Sequence, residues 1–175
     1  MVNEYLTDER AFWADPTQVY AWKLRAMAKA GSLVGNPGMN IRAKDTDGQM
    51  QSMFDIDAPY VVLYFYHAEC EHCIEETPKL VQFYQKWKDR GLEVYAVAMD
   101  TEDADWRKFI TDNKMESWIN VNDADSQNIY DDYYVMGTPN IYLLNPERII
   151  IGKSLELEHI PAVIQMDQQK RAVDF

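Results

Sequence analysis

A chain of 175 residues, 47% of them hydrophobic, can build one core of ordinary size but not two full domains. Its five Trp, eleven Tyr and six Phe exclude a disordered chain, which would be poor in aromatics. A formal net charge of -12 argues against a nucleic-acid binder, because phosphate contacts need Lys and Arg.

In chain order, Asp15-Pro16 followed by TQVYAWKLRAMAKAG predicts a helix. Asp15 is its N-cap, Pro16 its first residue and Gly31 its stop, with Val19, Trp22, Leu24 and Met27 on the expected buried side. The loop GSLVGNPG places a boundary near residues 34–38, separating a helical extension (1–34) from one domain (35–175). MNIRAKDTDGQMQSMF predicts a hairpin turned by Asp47-Gly48. YVVLYFY, Tyr60 to Tyr66, is continuously apolar and predicts a buried central strand.

From Cys73 to Arg90 the pattern turns helical, with Leu80, Val81, Tyr84 and Trp87 at spacings of three and four and Gly91 as the stop. Leu92–Met99 predicts a second buried strand, and Asp103–Asn113 a helix burying Trp106, Phe109 and Ile110. A short strand at Trp118–Val121 and a short helix at Ser126–Tyr134 follow. Asn140–Leu144 and Arg148–Gly152 form a hairpin around Asn145-Pro146, and Leu157–Lys170 a closing helix that tolerates Pro161 in its first turn. Alternation in the first part implies parallel strands and the last pair an antiparallel hairpin. The expected fold class is therefore α/β, a mixed central sheet with helices on both faces.

No apolar run approaches the roughly 20 residues of a membrane span. The start, MVNEYLTDERAFWAD, lacks the basic end and apolar centre of a leader peptide. The expectation is a cytosolic chain, or one that begins after a removed leader or an upstream domain.

The chemistry concentrates in HAECEHCIEETPKL, His67 to Leu80, which holds both cysteines, Cys70 and Cys73. A structural staple gains little from so short a loop. A metal site could draw on His67, Cys70, His72 and Cys73, two thiolates and two imidazoles. A redox pair fits best, because a strand leads straight into a helix whose first turn holds Cys73 and whose N-terminus holds Cys70. Backbone N–H groups and the macrodipole there favour a thiolate. Cys70 can then attack a disulfide and Cys73, about one turn on, can resolve the mixed disulfide.

The strand, the C-x-x-C, the helix with Pro78 five residues after the second cysteine, and the distant Gly137-Thr138-Pro139 ahead of a strand resemble the thioredoxin fold. The match runs from about Gly35 to Met166. The opening hairpin and the extra helix and strand between Leu92 and Val121 resemble the TlpA/ResA-like branch of thiol–disulfide oxidoreductases, membrane-tethered or periplasmic proteins. That resemblance implies a cis Pro139, and a Thr138 that offers its backbone to the incoming peptide. It also implies that Glu76, three residues after Cys73, exchanges a proton with the buried thiol or controls its pKa. The partners implied are a protein disulfide and an upstream electron donor. No separate cofactor and no metal are implied, since the dithiol is the redox group. The location implied is the cell envelope, with the cytoplasm as runner-up. Val2–Ala30 resembles the tail of a helical domain that precedes such modules in some bacterial envelope lipoproteins.

Three positions depart from thioredoxins proper. Tyr64 stands where they carry a buried Asp, Glu69 replaces the tryptophan before the first cysteine, and Glu71-His72 replaces Gly-Pro between the two. His72 would stabilise a Cys70 thiolate, whereas Glu69 and Glu71 would destabilise it by like-charge repulsion. The expected activity is a reductase of middling potential. A disulfide oxidase or isomerase, a copper or zinc module, and a redox-inert interaction domain stay open. A peroxidase does not, because that branch needs Thr-x-x-Cys and His67 stands three residues before Cys70.

Overall fold

Seven consecutive buried residues cannot alternate between core and water, so Tyr60–Tyr66 must have a covered face on either side. The computed structural model, which describes residues 12–123 and 127–173, places this strand, β3, inside a seven-stranded sheet. Among the described residues the other strands are β1 (Arg42–Asp45), β2 (Met50–Ser52), β4 (Leu92–Met99), β5 (Ile119–Asp123), β6 (Asn140–Leu144) and β7 (Ile150–Lys153). Their order is β2-β1-β5-β4-β3-β6-β7. β3, β4 and β5 run parallel, as a sheet fed by helical crossovers requires. The β1/β2 and β6/β7 pairs are antiparallel, as are β1/β5 and β3/β6.

The helices are α1 (Pro16–Ala30), α2 (Glu71–Trp87), α3 (Asp103–Asn113), α4 (Gln127–Tyr133) and α5 (Ile160–Val173). Odd and even residues of β3 feed opposite cores. Tyr60, Val62, Tyr64 and Tyr66 pack with α2, α3 and α5, joined by Leu80, Trp106 and Ile164. Val61, Leu63 and Phe65 pack with Ile129 and Tyr133 of α4 and with Met53. The mixed α/β sheet with helices on both faces is as expected.

The hairpin turn forms where Asp47-Gly48 predicts it. Gly48 takes φ 77°, and the Asp45 carboxylate accepts from the backbone N–H groups of Asp47 and Gln49 at 2.9 and 2.8 Å. Asp15 caps α1 through the N–H of Thr17 at 2.8 Å. Leu24, expected to be buried, is 49% exposed. It stands five residues beyond the buried Val19, about 140° round the helix, while α1 packs against α4.

Three boundaries also move. Trp118 precedes β5 as a buried turn residue whose N–H reaches the Met115 carbonyl at 2.9 Å. Arg148 belongs to the β6–β7 turn, at φ 59°, because the Asn145 side chain accepts from the N–H groups of Glu147 and Ile149 at 3.1 and 2.9 Å. The closing segment opens as a 3-10 turn, Leu157–His159, before α5 begins at Ile160. The first eleven residues of the extension, Ser126 and the Met27 side chain lie outside the described residues.

Candidate active site

The site lies where parallel β3 ends and α2 begins. Cys70 is the residue ahead of α2, in extended geometry at φ -78° and ψ 118°, and Cys73 falls in the first helical turn. Both thiols are free. Their surroundings differ sharply: Cys70 is half-buried, whereas Cys73 is 0% exposed. Burial pushes the Cys73 thiol up to about 12. At Cys70, burial is outweighed by hydrogen bonds from the Cys73 backbone N–H and thiol, from the Thr138 side chain and from the His72 backbone N–H. The Cys70 thiol is therefore held below its ordinary value. The His72 backbone N–H acts on Cys70, while the Glu69, Glu71 and His72 side chains are exposed.

The loop between α4 and β6 closes the other side. The Thr138–Pro139 peptide is cis, and the Cys70 thiol donates to the Thr138 carbonyl at 3.3 Å. Pro139 and Glu76 line one cleft of about 680 Å³, floored by Leu80, Ile141 and Leu155. Cys70 and Thr138 line a second, of about 430 Å³, together with His67, Tyr130 and Met136. The second cleft thus holds the Cys70–Thr138 contact, and the first is lined by Pro139, the next residue in the chain. Glu76 is partly exposed and accepts from the Lys79 ammonium at 2.7 Å. Cys70, Thr138 and Pro139 thus gather at one point, Cys73 lies beneath, and Glu76 stands in the adjoining cleft.

Two residues around the dithiol were not among the site residues read from the sequence. Thr77 is fully buried and donates its hydroxyl to the Cys73 carbonyl at 2.6 Å. Tyr64 reaches Thr77 from β3 at 2.8 Å. The available signal was spacing: Thr77 is four residues after Cys73, on the same helical face, and directly precedes Pro78.

The metal alternative depends on His67 and His72 converging with the thiols. His67 instead accepts from the Glu69 N–H through Nδ1 at 3.1 Å. Among the described residues, the trio whose ligand atoms all lie within 4.8 Å of one another is Glu156, Glu158 and His159, all exposed. His159 sits in the 3-10 turn and not in the closing helix. The described residues include no helix long and apolar enough to cross a membrane.

Residues 34–159 match the model of the AhpC/TSA family. The thiol-disulfide oxidoreductase ResA of Bacillus subtilis (strain 168) is 31% identical over 121 residues, 67% of this chain. The match spans 64% of that relative, just under two thirds of its length. A domain of a possible thiol-disulfide isomerase from Cytophaga hutchinsonii superposes with a TM-score of 0.73 at 31% identity, covering 80% of this chain and 97% of that one. The thioredoxin domain of a thiol-disulfide oxidoreductase from Bacteroides vulgatus gives 0.69 at 30% identity, covering 77% and 96%.

Proposed function

The chain belongs to the AhpC/TSA family, and from that premise we propose that it is a thiol–disulfide oxidoreductase that reduces protein disulfides through the Cys70-Glu71-His72-Cys73 motif. The observation that carries this reading is the asymmetry of the two thiols. One is accessible and held toward the thiolate by hydrogen bonds, and its neighbour is buried and held as a thiol. A reductase needs that division: a nucleophile that starts the exchange and a reserve thiol that ends it.

Cys70 attacks the substrate disulfide, and the substrate's first sulfur leaves as a thiolate. Cys73 gives up its proton toward Glu76, attacks Cys70 in the mixed disulfide and releases the second sulfur. An upstream donor then returns two electrons to the pair. The Thr138 carbonyl, freed when Cys70 engages the substrate, accepts an N–H from the substrate backbone, with Pro139 shaping the adjoining wall. The Glu71 and His72 side chains tune Cys70 from outside. The catalytic unit is 35–175, with 1–34 as an extension, and the TlpA/ResA-like resemblance supports a place in the cell envelope.

The test is equilibration of the chain in glutathione and dithiothreitol buffers, followed by alkylation and mass measurement. A single two-electron transition is the expected result, with a midpoint between the roughly -270 and -120 mV that bracket related dithiols. A midpoint at the strongly oxidising end would make the protein an oxidase. Failure of Cys70 and Cys73 to form a disulfide under oxidising buffer would overturn the redox reading.

A further inference from the structure

Polar groups hold the buried cysteine through its backbone. Thr77, one helical turn on, donates its hydroxyl to the Cys73 carbonyl at 2.6 Å. A hydroxyl has one proton, so at its second contact, 2.8 Å from the Tyr64 phenol, Thr77 accepts and Tyr64 donates. Tyr64 is 1% exposed and Thr77 0%, so water does not compete for either bond.

The next residue weakens the helix at the same place. Pro78 lies inside α2 and has no N–H, which leaves the Ile74 carbonyl without its helical donor. The first turn, which holds Cys73 and follows directly on Cys70, is therefore joined less firmly to the rest of α2 than an ordinary turn would be. Tyr64 supplies a substitute anchor from the sheet. Its ring is fixed by stacking on Tyr66 at 5.4 Å and by the edge of Trp118 at 6.2 Å, so the phenol oxygen has little freedom.

We infer that Tyr64 and Thr77 are positioning residues for the resolving step: the chain from Tyr64 through Thr77 to the Cys73 carbonyl registers the Cys73 sulfur against Cys70. This rests on the dithiol reading above. The step governed is the second one. The Cys73 S–H loses its proton, a Cys73–Cys70 bond forms, and the bond from Cys70 to the substrate sulfur breaks. That sulfur leaves as a thiolate. Attack by Cys70 on the incoming disulfide uses the other end of the site and does not need the chain.

The experiment follows release of thionitrobenzoate when the reduced protein meets stoichiometric 5,5'-dithiobis(2-nitrobenzoate). Attack by Cys70 releases one equivalent, and resolution by Cys73 releases the second. Tyr64→Phe and Thr77→Val are expected to leave the first phase within about twofold and to slow the second about fivefold, the factor that corresponds to ~1 kcal/mol for one neutral hydrogen bond. Thr77→Ser keeps the hydroxyl and restores the second phase. The double variant slows it by less than the product of the single effects, because both sit in one chain. Two equivalents from the parent with an unchanged second phase in Tyr64→Phe would overturn the positioning role alone. So would an equal slowing of both phases that Thr77→Ser fails to restore. A parent that releases one equivalent and never the second would overturn the dithiol reading and this inference together.

Discussion

The buried thiol makes a quantitative prediction. In a Cys70→Ser variant, Cys73 is the only cysteine left. The largest influence on it, burial, is intact, and only the smaller contributions of Cys70 are removed. Raising a thiol from its ordinary 9.0 to about 12 lowers the thiolate fraction at neutral pH about a thousandfold. Alkylation proceeds through the thiolate. Iodoacetamide should therefore modify Cys73 about a thousand times more slowly than an exposed thiol on ionisation grounds alone. The rate should climb about tenfold per pH unit, with no plateau below pH ~11. Cys70 in a Cys73→Ser variant should level off below the ordinary thiol range. The same displacement acts on folding with a definite sign. A raised folded-state value stabilises the reduced protein below the unfolded value, and that stability is lost as pH rises through the folded one. The reduced form should therefore weaken between pH 9.0 and about 12. Rates measured by mass across this range, with a denatured control, decide the matter. A Cys73 plateau near 9 in the folded protein would refute the claim that burial governs this thiol.

The remaining predictions concern what holds the site in place. A Cβ at Gly38 would meet Leu144 Cδ2 at 2.6 Å and the Arg148 carbonyl at 3.2 Å. The backbone carbonyl cannot yield, so Gly38→Ala should cost about 1–3 kcal/mol in denaturant unfolding. Tyr60 donates to Asp167 at 2.9 Å, tying β3 to α5, and Asp167 also accepts from Asn145 at 3.2 Å. Because Asp167 keeps that second partner, Tyr60→Phe should cost only about 1–2 kcal/mol, read in the same assay. The Lys79–Glu76 pair is solvent-exposed on both sides, at 61% and 44%. Lys79→Met should leave the thermal midpoint unchanged, since water and salt screen such a pair. A clear drop in the midpoint would show that the pair braces the first turns of α2.

What the sequence determined by itself was local. Apolar runs, helical spacing and turn residues act within a few positions, so β3, β4, α3 and the Asp47-Gly48 turn are legible residue by residue. So is Cys70 at a helix N-terminus, because a buried strand and an amphipathic helix meet there with no room for a longer loop. Cys73 could be read as the inner thiol from spacing alone, but not how completely it is sealed. The resemblance already assigned Thr138 and Pro139 to the substrate side of the dithiol, but only the tertiary structure decided which atoms meet there. Cys70 reaches a carbonyl 68 residues away, and Tyr64 reaches Thr77 across 13 residues from a different element. The sidedness of α1 was decided the same way: Leu24 carries the right residue type for burial, yet packing against α4 leaves it in water. Such contacts depend on which elements become neighbours when the sheet closes. That choice is made by the summed burial of two cores, and no short stretch of chain encodes it.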